Sequence, residues 1–130
     1  MASIRPSWIQ YPGRYLITDF REEFTMDSAG RFGNLWSYID IRDVVELVEA
    51  ALDADLEGHE IFNAFAPDNF LGVDTAEAIE AGFGSLPDDC DLEGDESGFS
   101  TAKAQDLLDW EPTHSWTEAE DESVSGPSFV

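Results

Sequence analysis

Two short segments of the sequence carry the residue types that a small-molecule site needs. One spans residues 5–14 and holds Ser7, Trp8, Gln10, Tyr11 and Arg14. The other holds Trp36, Ser37 and Tyr38. Aromatic faces beside hydroxyl and amide groups suit a sugar-like ligand, and a neighbouring arginine suits a carboxylate or phosphate. The structural alternative is that the aromatics form core and the hydroxyls close turns. The sequence leaves both open.

Other chemistry-bearing constellations fail on spacing. His59 and His114 stand far apart with no ligand pattern around them, which favours structural or solvated roles over metal binding. Asp89-x-Asp91-x-Glu93-Gly94 has the front of a calcium loop, but Ser100 occupies the twelfth position where a bidentate Glu belongs. A Ser7–His59–Asp40 trio lacks the strand-turn-helix elbow that would raise it above coincidence. No Gly-x-Gly-x-x-Gly follows a strand; Gly82-Phe83-Gly84 follows a helical pattern instead. No metal site and no catalytic residue is assigned.

The elements that must position these residues fit into 130 residues, one small domain at most. Hydrophobic residues make up 42% of the chain, with four Trp and nine Phe, so a core is affordable. Cys90 is the single cysteine and has no internal disulfide partner. The chain has 29 acidic and six basic residues, a formal net charge of −23. That surface repels nucleic acid and anionic membranes. No apolar run is long enough to span a bilayer and no signal-peptide pattern opens the chain, so a cytoplasmic location is expected. Acids are spread throughout and Lys103 is the only lysine, a style that resembles haloarchaeal proteins hydrated in concentrated salt. Residues 1–50 hold five Arg and eight acids; residues 51–130 hold one Lys and 21 acids. The few cations retained are expected to have specific roles.

Residues 2–11 read as a strand and turn, punctuated by Pro6 and Pro12-Gly13. A chain opening directly in a strand looks like one that has lost its beginning. Residues 14–33 are polar and glycine-punctuated, which predicts a loop or mobile cover. Residues 34–41 form a second apolar stretch. Val44, Leu47, Val48, Ala51 and Leu52 fall on one helical stripe, with Asp43 as the expected N-cap and Gly58 as the stop. Residues 60–66 read as a buried strand. Asp74 and Thr75 open a second helix. Residues 86–98 form an acidic loop. Ser100 or Thr101 opens a third helix ending at Trp110, before Pro112.

Four pieces then fall in a familiar order: Ile4-Arg5-Pro6-Ser7-Trp8-Ile9; Tyr38-Ile39-Asp40-Ile41-Arg42-Asp43-Val44; Gly58-His59-Glu60-Ile61-Phe62-Asn63; and Ser100-Thr101-Ala102-Lys103-Ala104 through Leu107-Leu108-Asp109-Trp110-Glu111-Pro112. This order resembles the C-terminal half of the NAD-dependent epimerase/dehydratase family, the extended short-chain dehydrogenase/reductases. The resemblance implies an α/β fold: a Rossmann-like substrate-side half-domain over residues 1–116, with few strands and about three helices. Residues 117–130 are expected to form an acidic, flexible tail. It also implies that Pro6, Ser7 and Trp8 lie near a nicotinamide, and that Ser7, Trp8, Gln10, Arg14, Trp36 and Tyr38 face a sugar-like substrate.

The departures from that family matter as much. Its NAD is held by an N-terminal glycine motif and its proton transfer uses Tyr-x-x-x-Lys, and neither is present here. Two diphosphate-clamping arginines of sugar-nucleotide epimerases are matched by Trp36 and Leu92, which argues against a nucleotide-diphosphate sugar. The Trp36-Ser37-Tyr38 stretch resembles the uronate dehydrogenases, in which Arg14 or Arg21 would meet a carboxylate. The expected parent chemistry is NAD-dependent redox or epimerisation at a sugar carbon, with the chain inactive alone. NAD(P) is implied by the resemblance only and is not expected to bind this chain by itself. A separate NAD-binding chain or self-association would complete it. The alternative is a non-catalytic binding or assembly module that has kept the fold.

Overall fold

A computed structural model describes residues 1–25 and 34–122. Its organising feature is one extended stretch that serves two pairings. Strand β1 (Ala2–Pro6) runs parallel to β4 (Glu60–Ala64), in register from Ala2 opposite Glu60 to Pro6 opposite Ala64. After Ser7, β2 (Trp8–Gln10) runs parallel to β3 (Tyr38–Asp40), with Trp8 opposite Tyr38. The switch falls at Pro6, which has no N–H to offer a ladder. The expected strand over residues 2–11 is therefore two strands with different partners.

Parallel neighbours need crossover connections, and helices supply them. The helix α2 (Ile41–Asp53) leaves β3 and leads towards β4. Its N-cap is Asp40, whose carboxylate accepts the Arg42 N–H at 2.8 Å. The cap expected at Asp43 is thus displaced by one turn, and Asp43 points into the interior. Of the expected stripe, Leu47 is buried, whereas Val48 and Leu52 are exposed, Leu52 to 79%. Helix α3 (Thr75–Phe83) begins as expected at Asp74, which accepts the Glu77 N–H at 3.0 Å, and ends on left-handed Gly84. Helix α4 (Ala102–Leu108) is shorter than expected because Asp109 takes the left-handed conformation.

Two helices correct the sequence reading. Residues 14–33 were expected to be a loop, yet α1 (Leu16–Glu22) forms there; residues 26–33 lie outside the described residues. Short helix α5 (Trp116–Ala119) opens the expected tail; residues 123–130 lie outside the described residues. Five helices, not about three, stand among the described residues. The reason is tertiary. Ile17 and Ala119 are buried in one core cluster with Trp36, Tyr38 and Phe70. A second cluster packs α2 and α4 on the β1–β4 pair through Leu47, Phe62, Ala64, Ala104 and Trp110. The architecture is a small α/β unit with parallel strands. No described helix is long and apolar enough to cross a membrane.

Candidate functional site

The carboxyl ends of parallel strands are where open α/β sheets present ligand sites. At the end of β1 the Ser7 N–H donates to the Ala64 carbonyl at 3.1 Å, which fixes the turn. The Ser7 and Ser37 hydroxyls lie 2.6 Å apart. Trp8 is 38% exposed and edge-on to Phe20 and Phe70, at 6.5 and 6.1 Å. A half-buried ring can stack on a sugar face and a hydroxyl pair can bond its hydroxyls; here the two stand on consecutive residues, Ser7 and Trp8.

The other expected contacts divide sharply. Pro6 and Arg14 are exposed. Gln10, Trp36 and Tyr38 are wholly buried and present no surface to a ligand. Gln10 ties α1 to β2, its Oε1 accepting the Ile17 N–H at 3.2 Å. Trp36 fills the core from an unusual backbone position, φ 56°, directly after Leu35 at φ 47°. The Tyr38 hydroxyl donates to Asp68 at 2.5 Å and accepts the Trp116 N–H at 2.7 Å. These three serve as core, the alternative that the sequence left open.

The polar centre of the molecule is a set of buried carboxylates that the sequence reading missed. Asp40 accepts hydrogen bonds from the Tyr15 hydroxyl and from Arg42 Nε and Nη2, the latter two at 2.9 and 2.8 Å. Asp43 accepts from the Thr113 N–H, from the Thr113 hydroxyl, and from the His114 N–H. Asp68 holds Tyr38 and, at 2.6 Å, the Ser115 hydroxyl. One local signal was readable: Asp40 sits between Ile39 and Ile41 in an apolar run, where an acid must find a partner.

Three of the six retained cations have carboxylate partners among the described residues. Arg21 pairs with Glu120 and lies over the Trp116 ring at 3.7 Å; Arg42 bridges Asp40 and Glu122; Lys103 pairs with Glu60 at 2.6 Å. The guanidinium of Arg21 thus meets a carboxylate of its own chain. The Arg21 and Arg42 pairs, with the bonds to Asp43, Asp68 and Tyr38, strap residues 113–122 across the β2–β3 end of the molecule.

Burial and the Asp40 and Asp68 carboxylates push the Tyr15 and Tyr38 hydroxyls far above the usual phenol range. The two acids shift in opposite directions. Burial raises Asp68, and its bonds from Ser115 and Tyr38 do not cancel that effect. Burial also pushes Asp40 upward, but the Arg42 and Tyr15 bonds outweigh it and leave Asp40 below the usual range. The signs give a test. Asp68 binds protons more readily folded than unfolded, so its contribution falls as pH rises through its folded value. Asp40 contributes above its unfolded value, about 4, and that is lost as pH falls through its lower folded value. Stability followed by urea melts should hold or rise from pH 7 to about 5, then drop below about 4. In Asp40→Asn the drop should shrink; an unchanged drop would assign it elsewhere.

A cleft of about 500 Å³ opens at the end of β4, lined by Pro67, Asp91, Glu96, Ser100, Gln105 and Glu111 among others. No cation lines it. The N-termini of α2 and α3 are both closed by carboxylates, Asp40 and Asp74. A dinucleotide pyrophosphate needs such N–H groups free and an adjacent positive charge. The residues present do not fit that group. Among the described residues no cluster of His, Cys, Asp and Glu is arranged to hold a metal ion.

No protein-family model matches the sequence, and no curated protein matches it. Among solved structures the chain is similar to the UDP-glucose 4-epimerase of Thermotoga maritima, a hyperthermophilic eubacterium, with UDP-glucose. The TM-score is 0.48 and the identity 20%, over 91% of this chain. The chain spans 42% of that structure's length. A likeness of this size says nothing of chemistry. The α/β architecture rests on the parallel pairings themselves.

Proposed function

We propose that this chain is the substrate-side part of an NAD-dependent sugar epimerase, dehydratase or uronate-like dehydrogenase, corresponding to the C-terminal half of that architecture and of haloarchaeal type. It binds a sugar-like ligand through Ser7, Trp8 and Arg14 and does no chemistry alone. The observation that carries this reading is that the Ser7–Ser37 hydroxyl pair and half-exposed Trp8 fall on consecutive residues of the chain at the carboxyl end of β1. Further support comes from the sequence motifs, whose four pieces correspond in order to β1–β2, β3–α2, β4 and α4. The NAD portion would come from a separate chain. The protein acts in the cytoplasm.

A second reading is favoured by a specific observation. Trp36 and Tyr38 are core and Gln10 is a tie between elements, as in a binding or assembly module that has kept the fold without a reaction.

Calorimetry in molar salt separates the two. The first reading expects heat with a free sugar or sugar acid, and at least about tenfold weaker binding in Trp8→Ala, the loss of one stacking contact. It expects no heat with NAD. Micromolar NAD affinity would overturn the assignment of the cofactor to another chain. Absence of heat with every sugar and sugar acid tried would favour the assembly module.

A further inference from the structure

Among the described residues strand β1 has a neighbour on one side only. The Glu60 N–H donates to the Met1 carbonyl and the Ser7 N–H donates to the Ala64 carbonyl. In a parallel ladder the residues that bond a given neighbour alternate. Met1, Ser3, Arg5 and Ser7 therefore face β4, and the backbone groups of Ala2 and Ile4 face the open edge. Pro6, next in that series, has no N–H. The open edge thus offers two complete residues and then stops.

Beside this edge runs an apolar groove lined by Met1, Ile4, Val48, Ala51, Leu52 and Leu56, among others, with Asp55 its one charged side chain and the Met1 ammonium at its end. Met1 is 77% exposed. In a chain with 29 acids, a nearly uncharged strip is where two copies repel each other least. A two-stranded sheet is also marginal by itself.

We propose that this edge pairs with a second copy of the chain, β1 against β1 in antiparallel register about Ser3. That register sets Ala2 opposite Ile4 of the second copy, and the reverse. The two residues with outward N–H and C=O groups then become each other's partners across a two-fold axis, giving four bonds and a four-stranded sheet. Such a self-complementary patch is what an isologous interface requires. A longer strand from another protein would meet Pro6 and gain nothing beyond Ile4. Charge agrees with the register. Arg5 is exposed and has no ion-pair partner among the described residues. The pairing sets it opposite Met1 of the second copy, whose ammonium donates to the Gly58 carbonyl at 2.7 Å; the adjoining segment holds Asp55 and Glu57, two acids that outnumber that one cation. This pairing goes beyond the sugar-site reading and does not depend on sugar binding.

Sedimentation of the full chain in molar potassium chloride tests this. The expected species at tens of micromolar is a dimer. Ala2→Pro removes an outward N–H, and Leu52→Glu charges the groove at an exposed position; each should weaken the dimer at least about tenfold. Circular dichroism melts of both variants should match the parent, which keeps folding apart from association. Arg5→Glu should also dissociate it, and the double variant Arg5→Glu with Glu57→Arg should restore it. A monomeric parent chain would overturn the proposal. So would a dimer indifferent to Ala2→Pro and Leu52→Glu, or a parent recovered as a complex with a different protein bound at this edge.

Discussion

Asp43→Ala is expected to lower the unfolding free energy by at least about 3 kcal/mol, the range seen when one partner of a buried charged hydrogen-bond set is removed. The carboxylate is fully buried, and His114 Nδ1 lies 2.8 Å from it. Alanine would leave the Thr113 and His114 N–H groups without an acceptor and open a polar hole under α2. The backbone carbonyl of Asp43 also accepts the Trp110 indole N–H at 3.1 Å, and that bond survives the substitution. The damage should therefore be directional: residues 113–122 come loose while α4 stays packed. Asp43→Asn keeps an acceptor but turns a donor towards N–H groups, so it should fall between parent and alanine. Thr113→Val, which removes one hydroxyl at an exposed position, should cost no more than about 1 kcal/mol. Urea melts give the order, and limited proteolysis after residue 112 reads the strap. A cost under about 1 kcal/mol for Asp43→Ala would mean that water replaces the carboxylate and that the strap is held elsewhere.

The parts of this fold legible in sequence are those with a local cause. Asp74 before an alanine-rich run marks the start of α3, because a cap needs only local context; the end, expected at about Gly82, falls at Gly84. The strand over residues 60–64 shows in its run of Ile61, Phe62 and Ala64. What failed to show has partners far along the chain. Helix α1 has little apolar periodicity; it exists because Gln10 accepts at its start and Arg21 finds Glu120 at its end, 99 residues away. Asp43 looked like a helix cap because a cap is the commonest local use of an aspartate. Its real partners stand 70 and 71 residues on. For the candidate site the same division holds. Residue type singled out Ser7 and Trp8, which do reach the surface at a strand end. Type alone could not separate them from Trp36 and Tyr38, whose burial depends on α5 and on Phe70 arriving from elsewhere. The spare arginines signalled roles only in part: Arg21 and Arg42 hold the chain's own acids, while Arg5 and Arg14 are exposed.

The same charge balance gives the second large effect. Raising potassium chloride from about 0.1 M to about 2 M should lift the melting midpoint by more than about 10 °C, because the screening length falls from about 10 Å to a few ångströms. Two opposed terms decide the sign. Salt weakens the ion pairs, but those of Arg21 and Arg42 are partly buried and screened least, and the exposed Lys103–Glu60 pair is worth under about 1 kcal/mol. Salt relieves repulsion throughout the rest. Glu49 and Asp53 stand one turn apart on α2, Glu77 and Glu80 do so on α3, and Asp88, Asp89, Asp91, Glu93, Asp95 and Glu96 crowd one loop. Like charges a helical turn apart cost a few tenths of a kcal/mol each before the long-range field of −23 is counted. Repulsion therefore dominates. Salt also strengthens apolar burial in any protein, so the charge-specific part needs its own control. Glu49→Lys with Glu80→Lys, both at exposed positions, should raise the low-salt midpoint and flatten the salt curve. A parent midpoint equal in low and molar salt would remove the halophilic reading. A charge-reversed variant with an undiminished salt slope would trace the stabilisation to burial of apolar surface and not to the acids.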